Sequence, residues 1–260
     1  MSSPKFTVIT STFNASEMLA RTGLSLRQQV YRNFEWIIVD GASRDNTVEV
    51  AHGFDGLISV LISEPDNGIY DAWNKALPHI TGDWVLFLGA GDELHESDTL
   101  QQLASLLPML PDSITLAYGK VMDVDASGNL LGVRDETWEG LDGRWVIGRP
   151  ALPCHQGVLH RAILFQDDFR FDTRFRIAAD SELLLRELIE GHGRGMALIV
   201  SRFLRGGISD TKNNRLQVIR EVLRVNARVG ILHRRPFYLF FKLGVYALKD
   251  VVRRLLPGQT

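Results

Sequence analysis

The chain has 260 residues, 45 % hydrophobic and 23 % charged, a balance that excludes a disordered chain and leaves enough apolar residues for a sizeable core. This length fits one large domain, or one domain with an appendage. The net charge of −2 conceals a split: from Arg202 to the end there are 13 Lys+Arg against Asp210, Glu221 and Asp250, so residues 1–201 carry −12.

A basic end on an acidic body predicts an anionic partner surface, either lipid headgroups or nucleic acid. Cys154 is the only cysteine, which excludes an intrachain disulfide and fits a reducing compartment. Met1 to Lys5 predict no secretory signal. No stretch reaches the roughly 18 apolar residues of a spanning helix; the longest, Pro236 to Leu248, is interrupted by Lys242.

In chain order, the β-branched run Phe6 to Thr10 predicts a strand. Met18, Leu19, Leu24 and Leu26 predict a helix over 16–29. Phe34 to Val39 is a second strand ending at Asp40-Gly41, and Asn46 to His52 a short helix. Ile58 to Ile62, the helix Tyr70 to His79 and the apolar strand Trp84 to Leu88 follow, then a helix over Asp98 to Leu107 capped by Ser97 or Asp98. This alternation predicts an α/β fold: a mainly parallel, Rossmann-like central sheet flanked by helices.

The second half is less regular. Thr115 to Val124 predicts a strand and Asp125 to Asn129 a hairpin turn. Gly140 to Pro150 is rich in loop residues. Ile177 to Glu190 predicts a helix, Met196 to Val200 a strand, and Asn213 to Val229 and Arg235 to Leu256 two basic helices. The expected organisation is a catalytic domain over 1–205, with a nucleotide-binding half (1–110) and an acceptor-side half (111–205). A basic amphipathic helical appendage covers 206–260.

In an open parallel sheet, ligands bind beyond the carboxyl ends of the strands. Three predicted strand ends carry small or polar residues: Ser11-Thr12-Phe13-Asn14, Asp40-Gly41-Ala42-Ser43 and Gly89-Ala90-Gly91-Asp92-Glu93. Asp40 can accept hydrogen bonds from a base or ribose, or cap the following helix. Asp92, beside glycines, suits a hard divalent ion that also holds a diphosphate, or caps a turn. Asp71, Asn74 and Lys75 lie one helical turn apart, on a face that can meet sugar or phosphate; Asp71 can equally satisfy the helix dipole.

Together these segments resemble family 2 glycosyltransferases with the A-type nucleotide-sugar fold. The resemblance rests on Thr7 to Asn14, Phe34 to Thr47, Asp66-Asn67-Gly68 through Asn74-Lys75, and Gly82-Asp83-Trp84 into Phe87-Leu88. It covers about residues 5–205. Ser63 to Ala72, Gly91-Asp92, His155-Gln156, Ala179-Asp180 and Gly206-Gly207-Ile208-Ser209 are similar to the subgroup that assembles colanic acid and O-antigen.

The resemblance implies an inverting, metal-dependent transfer of a sugar from a nucleoside-diphosphate donor, UDP by default with GDP open. Thr12, Asn14 and Asp40 would hold the nucleoside, Asp40 on the base, with Asn67 and Gly91 also at the nucleotide. Asp92 would bind Mn2+ or Mg2+; the family has acids where this chain has Gly89 and Gly91, which leaves Asp92 as the main metal carboxylate. Asp180 would be the general base, with an N-cap as its alternative role. Asp71, Asn74, Lys75, His155 and Gln156 would face donor sugar or acceptor, and a third metal ligand is a further reading of His155.

The last 48 residues interleave basic side chains, among them Arg220, Arg224, Lys242 and Arg253, with Phe237, Tyr238, Phe240, Phe241 and Tyr246. Such a stripe lies in a membrane interface or packs on the domain. The resemblance implies a lipid-linked acceptor, and with it a cytoplasmic protein peripheral on the inner face of the plasma membrane. Nucleic acid is not expected, because no nucleic-acid motif accompanies the charge. A non-catalytic nucleotide-sugar-binding subunit of a glycan-assembly complex is the alternative, and Asp92 and Asp180 argue against it.

Overall fold

The computed structural model describes residues 3–205 and 215–234, together with 241, 244 and 245. Apart from 241, 244 and 245, the expected helix Arg235 to Leu256 lies outside the described residues, as does the segment Gly206 to Ser209.

Strand β1 (Phe6–Thr12) opens the chain, followed by α1 (Ser16–Arg27), β2 (Phe34–Asp40), α2 (Thr47–His52), β3 (Ile58–Ser63), α3 (Ile69–Ala76), β4 (Trp84–Phe87), β5 (Glu93–Leu94) and α4 (Thr99–Leu106). The second half contains β6 (Leu116–Val124), β7 (Leu130–Arg134), β8 (Trp145–Val146), β9 (Arg149–Pro150), β10 (Val158–Arg161), α5 (Ala179–Ile189), β11 (Gly193–Leu204) and α6 (Arg215–Arg228).

Among the described residues the main sheet runs β3-β2-β1-β4-β10-β6-β11-β5, with β7 paired to β6. The first four strands are parallel, as the βα alternation requires. Strand β10, a four-residue segment, inserts antiparallel between β4 and β6. It is too short for its period to show. Strand β11 extends well beyond the expected 196–200 because it pairs with β6 along most of its length.

Strand residues alternate between two cores. Ile9, Ile37, Val39 and Phe87 face α3 and α5, whereas Phe6, Val8, Trp36 and Leu86 face Leu19 and Leu26 of α1 and Leu100 of α4. Burying each large side chain contributes about 1.5–3 kcal/mol. Glu35, buried at the start of β2, accepts the Thr7 and Thr81 hydroxyls, the Thr81 N–H (2.7 Å) and Lys5 Nζ (3.1 Å). Burial raises its carboxyl, but those bonds together, led by the Thr7 hydroxyl, outweigh it and hold the group below the usual range.

Helix α6, expected at the start of an appendage, packs against α5 with Ile219, Val222 and Val225 buried. Arg228 adds hydrogen bonds to Glu182 (2.8 Å) and Asp172 (2.6 Å).

Candidate active site

At the carboxyl end of the parallel strands, Thr12 stands opposite Asp40 in register. Asp40 is fully buried. Its carboxylate accepts the Ser43 N–H (2.9 Å), the Ser43 hydroxyl and the Ser63 hydroxyl (2.7 Å). Asn14, at φ 47°, donates its N–H to Ser43 Oγ (2.7 Å), and its side-chain oxygen accepts the Arg44 N–H (2.8 Å). Asp40 and Asn14 thus tie the loops after β1 and β2 together. The Thr12 hydroxyl is buried without a hydrogen-bond partner among the described residues.

The loop before α3 is bonded largely to itself. Asp71 Oδ2 accepts both the N–H (2.9 Å) and the side-chain amide (3.2 Å) of Asn67. Lys75 reaches back to the Pro65 carbonyl (2.7 Å) and Glu64 (3.0 Å). Asn74 makes a paired contact with the backbone of Phe171, donating to its carbonyl and accepting its N–H, both at 2.8 Å. Asn74 therefore clips α3 to the segment leading into α5. Gly68 begins α3 at φ +112°, a conformation that a side chain would strain.

Asp92 lies beyond β4 and is 4 % exposed. Its Oδ1 accepts the Leu204 N–H (3.1 Å), and burial pushes its carboxyl up to about 7 against that bond and the nearby Arg134 charge. Gly91 sits at φ +98° and donates to Met18 O (3.1 Å) and Thr22 Oγ1 (3.0 Å); a Cβ there would come within 3.0 Å of Leu204. Arg134 on β7 pairs with Asp123 (2.7 Å), stacks over Phe203 and contacts Cys154 Sγ at 3.6 Å. Burial raises the Cys154 thiol to about 11, so it stays protonated at neutral pH and is no nucleophile.

The fit to a divalent ion is specific in form. Among the described residues no cluster of three or more His, Cys, Asp or Glu could hold one. A Cβ at position 89 would stand 3.0 Å from Asp92 Oδ2, so a side chain there would crowd the carboxylate. Asp92 alone is no closed protein cage; a single carboxylate suffices for an ion only where ligand phosphates complete its shell.

Asp180 occupies the first turn of α5, partly buried, and its Oδ1 accepts the Tyr70 hydroxyl of α3 at 2.8 Å. Burial raises its carboxyl, opposed by that hydrogen bond and by the Arg149 guanidinium. Asp180 is not the N-cap residue, which is Ala178; Glu221 of α6 accepts the N–H groups of Arg176, Ile177 and Ala178 in the segment just before the helix. His155 stacks on Trp73 with ring centroids 5.2 Å apart, and Trp73 packs edge-on against Tyr70. The His155 ring is held near pKa 4 by burial and is neutral at physiological pH, with Nε2 lacking a hydrogen-bond partner among the described residues. Gln156 accepts the Ser201 hydroxyl on its carbonyl (2.7 Å) and the Cys154 thiol on its side chain (3.2 Å).

Pairwise contacts run from Asp180 to Tyr70, Trp73 and His155, and from Cys154 to Arg134, whose charge acts on Asp92. Sequence reasoning named Asp92, Asp180 and His155 but missed Tyr70, Arg149 and Arg134. Tyr70 was visible within the motif Asp66 to Asn74, where an aromatic reads as core. Arg149 sits in loop-rich sequence and Arg134 at the end of the short strand β7, and neither carries a local signal.

A model of glycosyl transferase family 2 matches residues 7–131. A PGL/p-HBAD biosynthesis glycosyltransferase of Mycobacterium tuberculosis is 33 % identical over 189 residues, 72 % of this chain and 70 % of that protein. The amylovoran biosynthesis glycosyltransferase AmsB of Erwinia amylovora is 39 % identical over 193 residues, 70 % of this chain and 63 % of that protein. Residues 1–349 of S. aureus TarS in complex with UDP-GlcNAc superpose with a TM-score of 0.65 at 18 % identity, covering 89 % of this chain and 72 % of that one. The mannosyltransferase PcManGT of Pyrobaculum calidifontis, in complex with GDP-Man and Mn2+, gives a TM-score of 0.63 at 17 % identity, covering 100 % of this chain and 77 % of that one.

Proposed function

Because this chain belongs to glycosyl transferase family 2, we propose that it moves a sugar, with inversion, from a UDP-sugar to a lipid-linked or saccharide acceptor in bacterial polysaccharide assembly. The observation that carries this reading is the Tyr70–Asp180 hydrogen bond of 2.8 Å, which joins the helix of the donor loop to the helix bearing the base.

In this reading Thr12, Asn14 and Asp40 shape the nucleoside pocket with Asn67 and Gly91, and Thr12 offers its unpartnered hydroxyl. Asp40 then acts mainly by fixing the two loops, since Ser43 and Ser63 already occupy its oxygens. Asp92 would hold Mn2+ or Mg2+ together with the diphosphate. The ion, when bound, offsets the charge on the departing nucleotide. Asp180 takes the acceptor hydroxyl proton as that oxygen bonds to the anomeric carbon and the bond to the leaving diphosphate breaks on the opposite face. A carboxyl raised by burial is a stronger base near neutral pH, and such help is worth about 10²–10⁴ in rate. Neutral His155 and Gln156, with Asp71, border the sugar; Asn74 and Lys75 hold the loop that carries Asp71.

Support for the nucleotide comes from the UDP-GlcNAc complex of TarS, and support for polysaccharide from the AmsB relationship. A thermal-shift screen of UDP- and GDP-sugars with and without Mn2+ tests the donor, because binding to the folded state alone raises apparent stability. A shift with GDP-mannose and none with any UDP-sugar would replace the donor.

No helix among the described residues is long and apolar enough to cross a membrane. The charge surplus of the last 59 residues supports a peripheral position on the anionic inner face of the plasma membrane, each basic residue there adding about 1 kcal/mol. Flotation of the full chain on anionic liposomes, compared with a Lys242→Glu, Lys249→Glu, Arg253→Glu, Arg254→Glu chain, tests this. Equal flotation of the two would dispose of it.

A further inference from the structure

Helix α6 carries two buried polar side chains turned away from its own backbone. Glu221, 3 % exposed, accepts the N–H groups of Arg176 (3.1 Å), Ile177 (2.8 Å) and Ala178 (3.1 Å), and the Gln217 amide at 2.9 Å. Asn226, fully buried, donates its side-chain amide to the Gly148 carbonyl at 2.8 Å. A buried carboxylate is costly unless hydrogen bonds replace its water. Here most of the replacements come from one short backbone segment, the entrance to α5.

The two anchored segments carry the charged groups of one site. Residues 176–178 run directly into α5, whose second residue is Asp180. Gly148 is the second residue of the two-residue turn between β8 and β9, and Arg149 follows it. Ile147 and Gly148 have φ of 51° and 91°. The first is unfavourable for a β-branched residue, and strain of that kind persists only when surroundings hold it. The Asn226 amide supplies such a hold.

We propose that α6 is a positioning element of the glycosyl-transfer site, Glu221 fixing the start of the helix that bears Asp180 and Asn226 fixing the turn that bears Arg149. This rests on the reading of Asp180 as general base. The first helix of the basic C-terminal segment then belongs to the working site. Neither side chain is a catalytic residue, since neither touches reacting atoms; both act through the backbone they hold.

The test uses the full chain and its Glu221→Ala, Glu221→Gln, Asn226→Ala and Asp180→Asn variants. UDP binding is read by thermal shift, and amide hydrogen exchange is followed over 145–150 and 176–182. UDP release is measured with Mn2+ from UDP-glucose, UDP-galactose and UDP-N-acetylglucosamine, water serving as acceptor. A misplacement near 1 Å can cost about 10²-fold in rate. Glu221→Ala is therefore expected to lower kcat about 10²-fold and to speed exchange over 176–182, with donor KM and the UDP shift changed less than about twofold. Glu221→Gln keeps an acceptor oxygen and is expected to recover about tenfold of that loss. Asn226→Ala is expected to speed exchange over 145–150.

If Glu221→Ala does not fold, Glu221→Gln and Asn226→Ala decide by the same readings. Unchanged exchange at both segments overturns the proposal. So does a kcat loss that Glu221→Gln fails to relieve, or one matched by lost UDP binding, since both are marks of general destabilisation. Normal UDP release by Asp180→Asn removes the general base itself. An inactive Asp180→Asn beside fully active α6 variants removes only the positioning role.

Discussion

Thr12, Asn14 and Asp40 meet across two adjacent strands in register, whereas Asp180, Tyr70 and Arg149 meet from separate elements, the first two 110 residues apart in sequence. The proposed donor side is assembled by neighbouring strand ends, and its polar atoms are mostly spent on one another. On the proposed acceptor side, three separate elements converge, and α6 bonds the segments beside two of them. A strand-end site is fixed once the sheet forms. A converging site depends on each helix lying against the next, so its geometry is the easier to disturb without unfolding the protein.

The largest effect that would sharpen this contrast is at the base. Asp180→Asn should lower kcat by about 10²–10⁴ while UDP still raises the melting temperature as in the parent chain. Loss of both would make Asp180 a structural residue and dissolve the distinction between the two sides.

Next comes the link between them. Because burial lifts the Asp92 carboxyl to about 7 from its ordinary 3.8, the folded protein binds an extra proton between those values. Stability therefore falls as pH rises through that window and levels off above it. Asp92→Asn removes the penalty, so with chelator present its stability advantage in urea should widen by about 2–3 kcal/mol from pH 5 to pH 8. With UDP present at pH 8, excess Mn2+ should add stability to the parent chain, an increment that Asp92→Asn should lose. A constant gap between the two proteins would show that the carboxyl is not buried as described.

A smaller effect is expected on the donor side. Asp40→Ala leaves the Ser43 N–H and two serine hydroxyls without their acceptor, and should cost about 1–3 kcal/mol of unfolding free energy along with weaker UDP binding. Weaker UDP binding at undiminished stability would instead make Asp40 a direct nucleotide contact.

The smallest change is Tyr70→Phe. The hydroxyl favours the ionised form of Asp180, so its removal should push the acidic limb of kcat/KM to higher pH. Activity on that limb should fall by no more than about tenfold. An unmoved limb would mean that Tyr70 does not tune Asp180.

Much of the donor side was legible in the sequence. The runs Phe6 to Thr10, Trp36 to Val39 and Trp84 to Leu88 are buried strands, and Asp40 and Asp92 follow the strands that place them. Their signal is local, since a strand end and its loop are contiguous. The acceptor side was legible only in part. Asp180 could be named by resemblance, but the residue that holds the segment leading into its helix could not, because Glu221 lies 43 positions beyond Ala178. Asn74 looked like a ligand-facing polar residue on the same helix face as Asp71. Its amide instead clips Phe171, and no periodicity marks a side chain that bonds a backbone 97 residues away.

By itself, then, the sequence determined the βα alternation, the alternating strand faces that feed two cores, and the acids at the strand ends. Each of these follows from side-chain period and chain order. Tertiary structure alone decided that β10 enters the sheet antiparallel, that Tyr70 and Arg149 converge on Asp180, and that α6 bonds the backbone before α5 and the turn before Arg149. Those contacts join segments tens of residues apart, and their energies exist only once packing has brought both partners out of water.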